Sequence, residues 1–259
     1  MNPFPGWELA NGNVGLFICI IAIMFLAYSF FGWFWESIIL PMARGEKLIN
    51  SGFLTGPYCP IYGVGGLLFL LIGCFTDNKI ELFFLGGLIA CILEYIVSWT
   101  LEKLFHARWW DYSEFPANLN GRICLYGFIL FGIFSVLIQF VNNLTLQAIS
   151  FLPTNTIGII GTAIIVIVTI DTIVTTESIK KINNVLKRYQ LLIEQKHPNL
   201  YEFFTKNRKL SIADKQLSRI LKAFPKFKST RYNEALKEIK NLRKKIKKSK
   251  FKPIKTEKK

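Results

Sequence analysis

Histidine is nearly absent from this chain: His106 and His197 are its two imidazoles. The five cysteines, Cys19, Cys59, Cys74, Cys91 and Cys124, include no pair at zinc-ligand spacing, which excludes a zinc-ribbon or finger module. Glu102 and His106 stand four residues apart, but no second ligand pair completes a metal site. No G-x-x-x-x-G-K-[ST] string occurs, which excludes a P-loop nucleotide site. Lysine and arginine are missing before Val14, so the positive n-region of a cleavable signal is lacking. The first hydrophobic run is therefore expected to remain as a span. No nucleophile–base constellation is evident, and neither catalysis nor a cofactor is expected.

What the chain has in quantity is apolar residues, bunched into five runs: Val14–Trp35, Ile61–Phe75, Leu82–Leu101, Ile123–Val141 and Thr156–Val174. Four of them approach the roughly 20 residues that cross a bilayer as helix. Ile61–Phe75 reaches that length only if Pro57–Pro60 belongs to it. So many apolar runs leave too little polar surface to coat a soluble globule. The expected fold is all-α: a polytopic membrane bundle of about five transmembrane helices, followed by a basic helical tail.

Charge is divided along the chain. Residues 177–259 hold 26 Lys+Arg against 7 Asp+Glu, net +19, whereas residues 1–176 hold 6 against 10, net −4. Basic residues are retained on the cytosolic side during insertion, which puts the tail in the cytosol and, with five spans, the N-terminus outside. Arg44, Lys47, Lys103, Arg108 and Arg122 all fall in the loops expected inside, 41–60 and 102–122. The outer loops carry Lys79 beside Asp77 and Glu81, and an uncharged Asn142–Asn155 turn with the sequon Asn143-Leu-Thr145. The expected organisation is a bundle over 1–176 in the cell membrane and a cytosolic amphipathic-helical tail over 177–259.

Acids intrude on the hydrophobic runs, and a lone charge in hydrocarbon is costly enough that it is usually paired, wet or functional. Glu36 ends the first run and Asp171 lies near the end of the fifth. Glu94 lies more than half-way along the third, with Ser98 and Glu102 following at i+4 steps on one helical face. Arg108 and Arg122 are placed to pair with them, and Glu94 is expected to bind one of the two or a cation. The connector holds Trp109-Trp110-Asp111-Tyr112 and Asn120-Gly121-Arg122, denser in aromatics than an interfacial belt requires. Glu36, Glu94, Glu102, Arg108, Trp109, Trp110, Asp111, Tyr112, Asn120 and Arg122 thus form one candidate polar cluster. It serves either as ion pairs fixing the bundle or as a substrate site, with Trp109–Tyr112 capping a cytosol-facing cavity. Gly63, Gly65 and Gly66 suit close helix packing.

Two strings carry a family resemblance: Ser51-Gly-Phe-Leu-Thr-Gly-Pro-Tyr-Cys-Pro-Ile-Tyr-Gly63, and the segment Leu93 to Leu125 with its Ser98-Trp99, Arg108-Trp-Trp-Asp-Tyr112 and Asn120-Gly-Arg-Ile-Cys-Leu125. Over roughly residues 25–180 the chain resembles a bacterial membrane family named for type IV ABC-transporter permeases, departing from it at Ser51 where arginine is expected. That resemblance implies a permease subunit whose ATPase is a separate polypeptide. Membrane insertases share the general layout, but their intramembrane arginine has no counterpart here.

In the tail, Ile179, Ile182, Val185, Leu186, Tyr189 and Ile193 recur at helical spacing, as do Tyr232, Ala235, Leu236, Ile239, Leu242 and Ile246, with Pro198 and Pro225 as punctuation. Two or three basic amphipathic helices are expected, with the anionic bilayer surface as partner rather than nucleic acid or a ribosome. Oligomerisation is left open. Two functions follow: a membrane permease subunit, or a non-transporting interaction or regulatory protein that docks partners through its loop and tail.

Overall fold

The computed structural model describes residues 4–194, 212–224 and 226–250. Helix α1 (Val14–Phe34) runs through a π-helical turn (Trp35–Ile39) into the short α2 (Leu40–Ala43). It is followed by α3 (Pro60–Gly73), α4 (Lys79–Phe105), α5 (Leu125–Ser150), α6 (Thr154–Glu194), α7 (Ile212–Ala223) and α8 (Asn233–Lys250). Two short strands, β1 (Ala107–Arg108) and β2 (Lys228–Ser229), pair antiparallel with Ala107 opposite Ser229. The architecture is an all-α membrane bundle.

Four segments are long and apolar enough to cross a membrane: Val14–Ala43, Lys79–Phe105, Leu125–Ser150 and Thr154–Asn184. The second expected span, α3, is only 14 residues long. At 1.5 Å per residue it reaches about 21 Å, short of the ~30 Å hydrocarbon core. Proline fixes the reason. Pro60 takes the first helical position, where its missing N–H is harmless, and it biases the preceding Cys59 to extended backbone. Pro57–Pro60 therefore does not lengthen the helix.

Side-chain caps set two of the other starts. Asn13 accepts from the Leu16 N–H at 3.0 Å and Asn78 from the Ile80 N–H at 2.9 Å, each satisfying a donor that the first turn leaves free. Glycines bring the helices together. A Cβ at Gly32 on α1 would meet Tyr62 of α3 at 2.1 Å, and one at Gly63 would meet the Ser29 hydroxyl at 2.2 Å. Small residues thus serve as the close-contact surface expected in lipid.

One expectation needs correction. The outer turn Asn142–Asn155 is mostly helix: α5 continues to Ser150, and only Phe151–Pro153 separates it from α6. Asn142 is buried and accepts from the Tyr28 hydroxyl at 3.4 Å, while the Thr145 hydroxyl donates to the Val141 carbonyl at 2.9 Å. These polar side chains are satisfied inside the helix, so the sequon sits on a helix rather than in a loop. The tail's first helical stretch continues from the last span. Residues 176 and 177 lie within the unbroken α6. Its distal part packs Ile179, Ile182 and Leu186 against Leu217 and Ile220 of α7, Phe227, and Leu236 and Ile239 of α8. Phe105 at the end of α4, with Ala107 and Trp109 of the α4–α5 connector, completes the same core. His197, Pro198, Pro225 and residues 251–259 lie outside the described residues, as do the side chains of Val185, Tyr189, Ile193, Leu242 and Ile246.

Candidate functional site

The end of the bundle that carries this second core gathers the C-terminal ends of α1 and α4, the N-terminal ends of α3 and α5, and the middle of α6. The ten residues expected to cluster divide there into three groups.

The first group lies inside the bundle. The π-helical turn carries Glu36, whose Oε1 accepts from the Tyr62 hydroxyl of α3 at 2.6 Å. Glu94 of α4 is 6 % exposed; its Oε1 accepts from the Tyr112 hydroxyl at 3.0 Å. Its Oε2 is buried and has no hydrogen-bond partner, facing the Gly127 position of α5 at 3.7 Å from where a Cβ would stand. Burial and then the charge of Glu94 raise the Tyr112 hydroxyl far above its ordinary value, so Tyr112 is a permanent donor here.

The second group is an ion-pair network nearer the loop. Glu102, two turns further along α4, receives Arg122 at 2.7 Å and Arg108 at 3.2 Å. Arg122 also lies over the Tyr95 ring at 5.2 Å. Arg108 donates to the Asn120 carbonyl at 3.3 Å, the Asn120 amide to the Tyr95 hydroxyl at 3.0 Å, and Trp110 Nε1 to the Arg122 carbonyl at 3.0 Å. The expected pairing of Glu94 with an arginine is therefore corrected. Both arginines go to Glu102, where the charges stay partly wet and their desolvation costs less.

The third group faces the tail. The left-handed His106 (φ 50°) ends α4 and starts β1. Asn120 and Gly121, at φ 53° and 66°, turn the connector back so that the Tyr112 N–H reaches the Gly121 carbonyl at 2.8 Å. Trp109 is buried, at 3 % exposed. It packs against Phe53, Phe105 and Phe227 at centroid distances of 5.8, 5.7 and 5.4 Å. Asp111 accepts from Lys228 at 2.6 Å and from Ser113. These contacts, the Lys228 hydrogen bond foremost, hold its carboxyl well below the usual range.

Several participants lie outside the ten expected to cluster. Asp171 accepts from the Gly56 N–H at 2.9 Å, the Thr55 N–H at 3.1 Å and the Tyr58 hydroxyl at 2.7 Å. From the tail, Arg219 of α7 donates to the Gly52, Phe53 and Leu54 carbonyls at 2.9–3.0 Å. The 51–59 loop is thus clamped between a span and the tail. Its Pro-Tyr-Cys-Pro-Ile-Tyr spacing, two tyrosines among helix breakers, was the available signal for Tyr58 and Tyr62. Among the described residues no group of three or more His, Cys, Asp or Glu is arranged to hold a metal ion.

Residues 23–176, more than half of the chain, match the family described as "Putative ABC-transporter type IV". The chain belongs to that family. With its apolar helices, membership makes it a transporter-like membrane protein. The matched region of this ABC-transporter family member stops within α6, so the buried acids and the connector lie inside it and the tail helices outside. No curated protein and no solved structure gives a significant match.

Proposed function

We propose that the chain is the membrane permease subunit of a transporter, moving a solute through the bundle past Glu94 while a separate polypeptide supplies ATP hydrolysis. Glu94 carries the reading. It is a buried acid in a membrane helix with a neutral tyrosine as its partner and one oxygen unpartnered. A side chain this costly to bury, in a transporter family, favours function over bundle structure. Glu36, Glu102, Arg108, Trp109, Trp110, Asp111, Tyr112, Asn120 and Arg122 are the supporting cluster. The lack of a P-loop string supports an ATPase in trans. The loop-by-loop basic bias supports an outside N-terminus and a cytosolic tail, whose exposed lysines face anionic headgroups. The alternative, docking of partners by connector and tail, loses ground because these two segments bury their apolar surfaces against each other.

The test is Glu94→Gln, which keeps the shape of the side chain and removes its ability to ionise. Abundance and melting temperature should stay near wild type while complementation of a deletion strain is lost. Full complementation at normal abundance would overturn the proposal.

A further inference from the structure

We infer that Glu36 and Glu94 form a proton-binding pair within the bundle, with Glu94 as the protonated member and Glu36 as the carboxylate. The inference rests on the permease reading only for what the proton would drive; the pair itself stands on geometry.

Tyr62, which donates to Glu36, lies 6.3 Å ring to ring from Phe131, and Phe131 and the Glu94 Oε2 both stand within 4 Å of the Gly127 Cβ position, so the two acids share one region of the bundle. Like charges sharing a dry region disfavour one another's ionisation. No salt bridge reaches either acid among the described residues. The titratable groups facing them are Tyr62 and Cys59 from α3 and its cap, Cys91 of α4, Tyr112 of the connector and Cys124 at the start of α5. None of these carries positive charge. Arg219 acts on Cys59 from the tail side and holds loop carbonyls, and Asp171 of α6 holds loop amides.

The hydrogen bonds separate the two members. A hydroxyl bound to a carboxylate shortens to about 2.5–2.7 Å, and Tyr62–Glu36 is 2.6 Å. Tyr112–Glu94 is 3.0 Å, a neutral length. The Glu94 Oε2 lacks a partner, which an ionised oxygen could not sustain and a neutral carboxyl tolerates at far smaller cost. A divalent cation favours several carboxylate ligands, and among the described residues no group of three or more His, Cys, Asp or Glu is arranged to hold one. A proton needs only one oxygen. The step is balanced simply: Glu94 Oε2–H gives its proton to water or solute at the cytosolic end and takes one back.

Infrared titration of the full-length protein in nanodiscs tests this. A protonated-carboxyl stretch should persist at neutral pH, disappear in Glu94→Gln, and survive in Glu36→Gln with a lower titration midpoint, since the neighbouring charge is gone. Absence of the band at neutral pH overturns the inference. So does a band that sodium or potassium, but not choline, removes at fixed pH, which would mark an alkali-cation site. If Glu94→Gln does not fold, Tyr112→Phe takes its place. It removes the hydrogen bond to Glu94 and should move the band, and an unmoved band also overturns the assignment. The measurement needs no solute. A band with full complementation by Glu94→Gln refutes the permease reading and leaves the acid pair. Lost complementation without a band refutes the acid pair alone.

Discussion

Trp109→Ala is expected to release the tail from the connector. Replacing a buried tryptophan by alanine costs about 3–5 kcal/mol, and three ring contacts within 5.4–5.8 Å are lost with it. The polar links between the same segments are weaker. Lys228 is 58 % exposed although its partner Asp111 is buried, and both members of Lys226–Glu114 are exposed; pairs with a wet, mobile lysine contribute roughly 0–1 kcal/mol. The β1–β2 ladder is only two residues long. The apolar core must therefore hold the tail in place, and the ion pairs must contribute little. Hydrogen exchange on the detergent-solubilised full-length protein reads this out: amides of α7 and α8 should lose protection in Trp109→Ala while those in the middle of α1 and α4 keep theirs. Lys228→Ala should leave α7 and α8 nearly as protected as wild type. Equal loss in the two variants, or full protection in Trp109→Ala, would refute the assignment of the tail's stability to the apolar core.

Topology is checked by cysteine labelling in intact cells: a membrane-impermeant reagent should modify a cysteine placed at Asn11 and spare one placed at Ser113. Gly32→Ala should lower folded yield, because its Cβ would stand 2.1 Å from Tyr62 and overpacking costs about 1–3 kcal/mol. Gly158→Ala, with nothing within 4 Å, should be neutral on the same thermal-shift assay. The Asp111 carboxyl is held low when folded, so its contribution is complete above its unfolded value of about 3.9 and declines as pH falls further. Acidification below about pH 4 should accordingly cost the tail only a small loss of protection in wild type, no larger than that of Lys228→Ala, and Lys228→Met should flatten that dependence.

The spans were legible because membrane length is a property of composition alone and needs no knowledge of partners. Helix ends were less so. Asn142-Asn143 reads as a turn until Tyr28, more than a hundred residues earlier, is found donating to Asn142. The density of Trp109–Tyr112 was visible, but its consequence was not. Neighbouring residues of one short segment serve different partners: Trp109 and Asp111 turn to the tail, Trp110 packs on the tail-side core while its indole N–H goes to the Arg122 carbonyl, and Tyr112 reaches the bundle. Those neighbours, Phe227 and Lys228 on one side and Glu94 on the other, are distant in sequence. The expected Glu94–arginine pairing failed because Glu102 competes for the same arginines at a wetter depth.

Consecutive residues thus join the tail to the buried acid. Asp111 is held by Lys228 and Tyr112 holds Glu94, so the connector cannot shift by a residue's length without disturbing both bonds. The strengths decide how the tail acts on the acid. Breaking the Lys228 bond leaves Asp111 its bonds from the Ser113 N–H and hydroxyl, and the backbone bond from Tyr112 to Gly121 intact. Moving Trp109 removes the anchor three residues before Tyr112. It is therefore the packing of the tail against Trp109, rather than charge on its surface, that fixes the hydroxyl on Glu94. A partner that displaces α7 or α8 would reach the acid pair through that ring.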